Sequence, residues 1–473
     1  YIFRLEAIFL LPVNCGSHAD YQNLVVENLR KYYPNPDLLA RSTWDIIERF
    51  WHLDLSDTDT LLTHKYSKFG PAPRTPSCMQ RSYLLSIDFK VSSITEWAAQ
   101  LKMNPLFAIL SGFQVGDTPG VGTFYDFMKR LWDSDDPHMT SHIHPLKAKV
   151  KKPDAKGEKA ASVEKVTVAE LLPQLEKTAF PLNDQPYASL FKIYQKEFLD
   201  VSVEKGLIHK DSLALAGDGT PVVTSHRERK KRICKCKENG INDCSCDRYF
   251  SQPDCDIGWD SSRDCFYHGY DLYMLVDSQS DLPVFPHYSY ASKHDSHGFL
   301  QAFFRMRAFL PDYKVSKVLL DSAHDAMPYY QYFKRQNITP FIDLNGKGGR
   351  PPVYKNDFTI DKDGVPVCPS GHRMRRDGIE VAKGRMKFKC PKISHTGGCI
   401  SCTCDKPCSK AKYGRTVHLI LNDNPRLFNN PPRSSKEWKL EYNARTSVER
   451  SNKREKLDFR LEDGRHRSTR MWY

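Results

Sequence analysis

The chain has 473 residues, 40% of them hydrophobic, and 70 basic against 57 acidic side chains give a net charge of +13. That is enough for two or three domains with a real core, and the basic surplus points to a polyanionic partner, nucleic acid first, although plain solubility carries the same signature. No apolar run is long enough to span a membrane, and the opening Ile8-Phe9-Leu10-Leu11-Pro12-Val13 lacks the cationic leader and cleavage site of an export signal.

Residues 1–145 read as a helical domain with a DNA-binding character. Helical spacing covers Tyr21 to Tyr33 and, after Pro34-Asn35-Pro36, Asp37 to Leu53, with Ser42-Thr43 as capping residues. Further helices are predicted over Ser93 to Leu101, Leu106 to Phe113 and Thr123 to Trp132. The glycine-rich stretch Gly116 to Gly122 lacks the Lys-Ser/Thr of a phosphate loop and no strand precedes it, so it reads as a helix–helix connector. Residues 146–205 form a basic linker, rich in Lys, Ala, Glu and Pro, followed by helices over Val168 to Leu175 and Tyr187 to Lys205.

From residue 206 the texture changes to α/β. An apolar strand, Ser212 to Thr220, ends in Asp218 between two glycines. Tyr267 to Val276 and Leu282 to Ala291 read as a hairpin, followed by a helix to Leu310. A second apolar strand, Val315 to Leu320, also ends in an acid. Asp321 ends the strand and Asp325 can cap the next helix; Asp321 is favoured as a ligand. A helix to Gln336 and a strand from Thr339 to Leu344 complete a mixed sheet with carboxylates at strand ends.

Near the C-terminus, Glu441 to Lys456 has neither Pro nor Gly and reads as one helix. Tyr442, Arg445, Glu449 and Lys456 fall inside an arc of about 60° on it. A basic surface helix with chance pairs has the same composition. Together with Asp218 and Asp321, however, Glu449 completes an oxygen-ligand set for Mg²⁺ or Mn²⁺, with Arg445 and Lys456 beside it for phosphate.

These residues carry a resemblance. The chain resembles the DDE transposases of bacterial insertion sequences, in the group related to insertion sequence 4, whose signature Tyr-x2-Arg-x3-Glu-x6-Lys fits Tyr442, Arg445, Glu449 and Lys456 at every spacing. The segments around Asp218 and Asp321 look like that group's first and second acid motifs, so the resemblance covers about residues 205 to 470. It implies an RNase H-like catalytic domain (206–345, resuming at 440–473) preceded by the all-α domain and interrupted by an insertion at 346–439. It further implies Asp218, Asp321 and Glu449 as catalytic metal ligands, and Tyr442, Arg445 and Lys456 as contacts to double-stranded DNA at the element's terminal inverted repeats. Trp438, just before the signature, is a candidate to hold a flipped base, although a packed core or surface Trp is the favoured reading. The activity would be Mg²⁺-dependent end cleavage and joining of the 3′-OH to target DNA, by a homodimer in the bacterial cytoplasm at the nucleoid. The different reading is a zinc-stabilised DNA-binding protein without catalysis, a decayed or truncated element. The start at Tyr1 and the end at Met471-Trp472-Tyr473 fit a fragment.

Of the 14 Cys, twelve fall in two groups, which in a chain of this size reads as metal before disulfide. The first is Cys234-x-Cys236-x7-Cys244-x-Cys246, with Cys255 and Cys265 after it, in an insert at 226–265 that opens with the basic run His226 to Arg232. Two close pairs of thiolates can form a tetrahedral Zn²⁺ knot, or stay as free thiols in a loop. The second lies in the 346–439 insertion. There Cys368, His372 or Cys390 with Cys399 and Cys402 resembles a zinc ribbon, with Cys404 and Cys408 in surplus. This insertion looks too polar to fold on a core of its own.

Overall fold

A computed structural model describes residues 16–67, 69–146, 166–224, 229–346, 353–354, 357–361, 363–396 and 399–473, with backbone only at 38, 353–354, 394–396 and 399–402. Among them no helix is long and apolar enough to cross a membrane. The N-terminal part is helical: α1 (His18–Tyr32), α2 (Arg41–His52), α3 (Ser56–Leu62), α4 (Pro76–Asp88), α5 (Ile94–Met103), α6 (Pro105–Ser111) and α7 (Val121–Arg130). They close on one apolar core that includes Val25, Phe50, Leu62, Trp97, Ile109, Phe124 and Phe127.

Polar starts fix these helices. Ser17 and Asp20 form a reciprocal cap on α1, Ser93 accepts from Glu96 N–H, and Asn104 caps α6 ahead of Pro105. Ser42 and Thr43 do not cap, because α2 already begins at Arg41, after Ala40. Helices α3 and α4 fall in a stretch where the sequence pattern suggested none. The glycine-rich stretch is the α6–α7 connector, as expected. Residues 147–165 of the expected linker lie outside the described residues. After it come α8 (Val168–Lys177), α9 (Ala188–Tyr194), a π-helical segment Gln195–Asp200, and α10 (Val201–Glu204).

The strands are β1 (Ile143–His144), β2 (Leu213–Val223), β3 (Lys230–Arg232), β4 (Arg248–Phe250), β5 (Asp256–Asp260), β6 (Cys265–Asp277), β7 (Pro283–Tyr290), β8 (Val315–Leu320) and β9 (Thr339–Ile342). The main sheet runs β5-β6-β2-β8-β9, with β7 also paired to β6. Strands β2, β8 and β9 are parallel; β6 is antiparallel to β2, and β7 to β6. Helices α11 (Asp295–Phe309) and α12 (Met327–Arg335) cover one face, where Leu215, Leu275, Phe299, Phe303, Val318, Tyr329 and Phe333 share a core. The other face, with Ala216, Leu272, Met274 and Leu319, receives Trp438, Val448 and Trp472. The result is a three-layer α/β/α arrangement, and the period-2 alternation of β2 and β6 supplies both apolar faces.

Two expectations change. The stretch Glu441 to Lys456 is not one helix. It comprises α13 (Lys436–Asn443), a tightened turn at Ala444–Arg445, α14 (Thr446–Lys453) and a π-helical end, Arg454–Asp458. In the turn, Ala444 N–H bonds Glu441 C=O and Arg445 N–H bonds Tyr442 C=O, three residues back rather than four. Trp438 and Val448, on either side of the turn, both bury on the sheet. The insertion also has its own core. Strands β10 (Val353–Tyr354), β11 (Phe358–Ile360), β12 (Pro366–Val367), β13 (Arg375–Glu380), β14 (Arg385–Lys389), β15 (Ile393–Thr396), β16 (Cys399–Cys402) and β17 (Thr416–Ile420) form three small sheets. Phe358, Ile360, Met374, Met386, Phe388, Val417, Leu419 and Phe428 pack between them. The apolar residues are thinly spread in sequence but converge on one side of short strands.

Candidate active site and metal centre

Asp218 does not end its strand. Strand β2 continues to Val223 and pairs with β6 throughout, Asp218 opposite Met274. Its parallel pairing with β8 stops at Ala216, opposite Leu319. Asp218 therefore lies just past the shared stretch of two parallel strands, and Asp321 just past the end of β8. Carboxyl ends of adjacent parallel strands leave backbone uncovered and side chains free to converge.

Asp321 accepts Ala323 N–H at 3.0 Å and pairs with His324 Nδ1 at 2.6 Å; His324 Nε2 in turn meets the Tyr273 hydroxyl at 2.9 Å. Burial opposes ionisation of Asp321, but His324, Ala323 N–H and Arg445 outweigh it and hold its carboxyl below the usual range. Asp218 has the opposite fate. Burial, then the negative fields of Asp295 and Asp321, push its pKa up to about 7 against the pull of Arg445 and His324. The less favoured alternative for the second acid has a structural task. Asp325 binds Arg426 through Nε at 2.8 Å and Nη2 at 2.5 Å, and also accepts Tyr330 O–H and Asn345 N–H.

Two acids missed by the sequence reading stand beside Asp218. Asp271, on β6, is buried and its pKa is driven well up by burial, then by Asp295 and Asp218. Asp295 opens α11 and is also pushed up by burial, with Asp321 adding to it and His324 opposing. The signal for Asp271 was present: an acid amid Tyr270, Leu272, Tyr273 and Met274 in a strand buried on both faces. Asp295 offered only a helix-start acid, an ordinary feature.

The signature residues divide. Arg445 Nη2 donates to Glu449 Oε1 at 2.5 Å, and its charge reaches Asp218 and Asp321. Glu449 stays 49% exposed in that pair, so it joins the aspartates through Arg445. Tyr442 stacks on Trp438 at 4.6 Å, and burial pushes its pKa up to about 12. Trp438 itself is only 5% exposed and packs near Phe341. This agrees with the favoured packed-core reading rather than an open stacking platform: the indole lies in the core between α13 and the sheet. Lys456 pairs with Glu462 at 3.4 Å; the same carboxylate takes Val223 N–H and Arg263. The common 60° face is thus split by the turn and the π-helical end.

In the cysteine-rich insert, β3 and β4 pair with each other and β1 adds to β4. Cys234, Cys236, Cys244 and Cys246 place their sulfurs all within 4.8 Å of one another, and this group could hold a metal ion. Cys234–Cys244 and Cys236–Cys246 are each 3.6 Å apart, beyond a disulfide and close to the ~3.8 Å edge of a tetrahedron with metal–sulfur bonds of ~2.3 Å. Arg248 Nη2 approaches Cys244 Sγ at 3.1 Å and pulls that thiol down to about 6. Of the basic run, His226, Arg227 and Glu228 lie outside the described residues; Arg229, Lys230 and Lys231 are exposed. In the second group, Cys368 and Cys390 are buried, and the Cys408 thiol lies in the field of both. Cys408 was missing from the expected set, while the side chains of Cys399 and Cys402 lie outside the described residues.

Comparisons with protein-family models, curated proteins and solved structures found no match.

Proposed function

We propose that the chain is a DNA transposase of the DDE type, with an RNase H-like catalytic domain, that cuts element ends and joins the freed 3′-OH to target DNA. The observation that carries this reading is the placement of Asp218 and Asp321 just past the shared stretch of two adjacent parallel strands, with Arg445 and Glu449 at the start of a helix packed across the same sheet. The strand order, three antiparallel strands continued by two parallel ones, also supports it.

Oxygen ligands of this kind suit Mg²⁺ or Mn²⁺, which when bound would activate water and neutralise charge on the scissile phosphate. Asp218, Asp321 and, once released from Arg445, Glu449 would hold the ions. Arg445 would then face a phosphate oxygen, a partner its planar fork matches. Water attacks phosphorus, the P–O3′ bond breaks, and the 3′-OH leaves with a proton; in the second step that hydroxyl attacks a target phosphate, a new P–O bond forms, and the target's own P–O3′ bond breaks, its 3′ oxygen leaving with the proton. The His324–Tyr273 chain keeps Asp321 aimed and ionised. The four-cysteine centre would take Zn²⁺ and pin the basic β3–β4 hairpin for contact with duplex phosphates. A homodimer on paired ends in the bacterial cytoplasm completes the proposal.

The test is nicking of cognate ends with Mg²⁺. Asp218→Ala and Glu449→Ala should each abolish it while DNA binding persists; unchanged cutting in either variant would refute the reading. One observation favours a non-catalytic zinc-stabilised DNA-binding protein instead: Glu449 is held by Arg445 rather than by the aspartates' site. That reading expects DNA binding and no Mg²⁺-dependent nicking in the wild type.

A further inference from the structure

Gly219 follows Asp218 on β2, and what surrounds it is charged. A methyl group there would sit 2.5 Å from Asp295 Oδ1 and 3.0 Å from Asp271 Oδ1, so both carboxylates are directed at one glycine. Their oxygens can be no further apart than those two distances together. Like charges so close, in a site of reduced dielectric, cannot both stay ionised without an answering charge.

The protein supplies little of one. Among the described residues, the carboxylates of Asp218, Asp271 and Asp295 make no hydrogen bond or ion pair, although Arg445 and His324 act on Asp218, Lys456 on Asp271, and His324 and His294 on Asp295 through space. Asp271 is 5% exposed, and its Oδ2 is wholly buried without a hydrogen-bond partner. A buried carboxylate oxygen left unpaired costs about 1–3 kcal/mol or more, and the fold retains it beside two further acids. Arg445 and His324 answer Asp218 on the other face of β2. A proton shared by Asp271 and Asp295 would still leave one negative charge, whereas a doubly charged cation answers both.

We propose that Asp271 and Asp295 form a divalent-cation pocket on the face of β2 at Gly219, next to Asp218 on the opposite face, extending the carboxylate set beyond Asp218, Asp321 and Glu449. Its use in strand cutting rests on the transposase reading, whereas its occupation does not. With Asp218 counted, the oxygens are not all within 4.8 Å of one another, a closeness that among the described residues only the four cysteines reach. The ion therefore keeps part of its water shell, as Mg²⁺ habitually does. The absence of a side chain at Gly219 leaves room for the ion or one of its waters.

Mn²⁺ binding to the full chain without DNA, followed by electron paramagnetic resonance at pH 7.5 and competed with Mg²⁺, tests this. The wild type should bind Mn²⁺; Asp271→Asn and Asp295→Asn should each weaken binding at least tenfold, and Asp45→Asn, at an exposed acid on α2, should change it less than twofold. If Asp271→Asn does not fold, Asp295→Ser decides alone, since Asp295 is partly exposed at a helix start. Wild-type Mn²⁺ binding in a folded Asp295 variant, or no Mn²⁺ bound by the wild type, would overturn the pocket. Either result leaves nicking of element ends to be judged separately.

Discussion

Arg445 and Glu449 are joined across one helical turn by a 2.5 Å hydrogen bond, while the same guanidinium lies in the field of Asp218 and Asp321. One side chain thus links the three acids of the proposed site. Arg445→Gln should reduce Mg²⁺-dependent nicking about 10²–10³-fold, the usual cost of removing a preorganised charge. It should also move the acid limb of the pH–rate profile upward, because Arg445 opposes the rise of the Asp218 pKa. Arg445→Lys should recover little, since a point charge cannot replace the planar fork. An unmoved pH profile in Arg445→Gln would mean that the arginine is structural.

Asp218 couples stability to pH with a defined sign. Its carboxyl titrates at about 7 in the folded chain and near 4 when unfolded. Between those values the native state binds more protons, so the contribution is complete below about pH 4 and is lost as pH rises through 7. Its full size is on the order of 4 kcal/mol at most. In EDTA, the melting temperature should fall between pH 6 and pH 8. Asp218→Asn should flatten that slope while abolishing nicking, and Mg²⁺ should restore the wild type at pH 8. A melting temperature that rises with pH in EDTA would contradict the assignment.

Asp321 and Asp325 sit four residues apart and should fail differently. Asp325 is the buried partner of Arg426 and receives two further donors. Asp325→Ala should cost about 3–5 kcal/mol by leaving Arg426 without its charge partner. Asp321 is 35% exposed, and Asp321→Ala should cost less stability and abolish nicking. Paired denaturation and nicking assays separate the two; equal destabilisation would argue that both are scaffold.

Much of this was legible in the chain. The strand-end acid in Leu320-Asp321, the acid between glycines in Gly217-Asp218-Gly219, the hairpin around Asp277 to Asp281, and the spacing of Tyr442, Arg445 and Glu449 needed only local patterns, although β2 runs on past Asp218 to Val223. What escaped depended on tertiary packing. Nothing local reveals the tightened turn at Ala444–Arg445, between the buried Trp438 and Val448. Nothing local says that Asp271, opposite Pro221 on the neighbouring strand, meets Asp295 at Gly219. The insertion's core was hidden because its apolar residues arrive singly from many short strands.

The four-cysteine centre carries the last prediction. Metal analysis of purified protein should find zinc, and Cys236→Ser or Cys246→Ser should lower it by one ion per chain. The damage should stay local, because the group sits on the small β1–β4–β3 sheet rather than the main one. Amide exchange should quicken in β3 and β4, while the main sheet keeps its protection. Arg248→Ala tests the surrounding shell. Arg248 donates to Cys244 Sγ and to the Cys244 carbonyl, so it both favours the thiolate and fixes the loop. Its loss should weaken zinc binding about 10–100-fold and make it steeper in pH, since Cys244 would no longer be held near 6. Unchanged zinc content in Cys236→Ser would show that these thiols do not bind the metal.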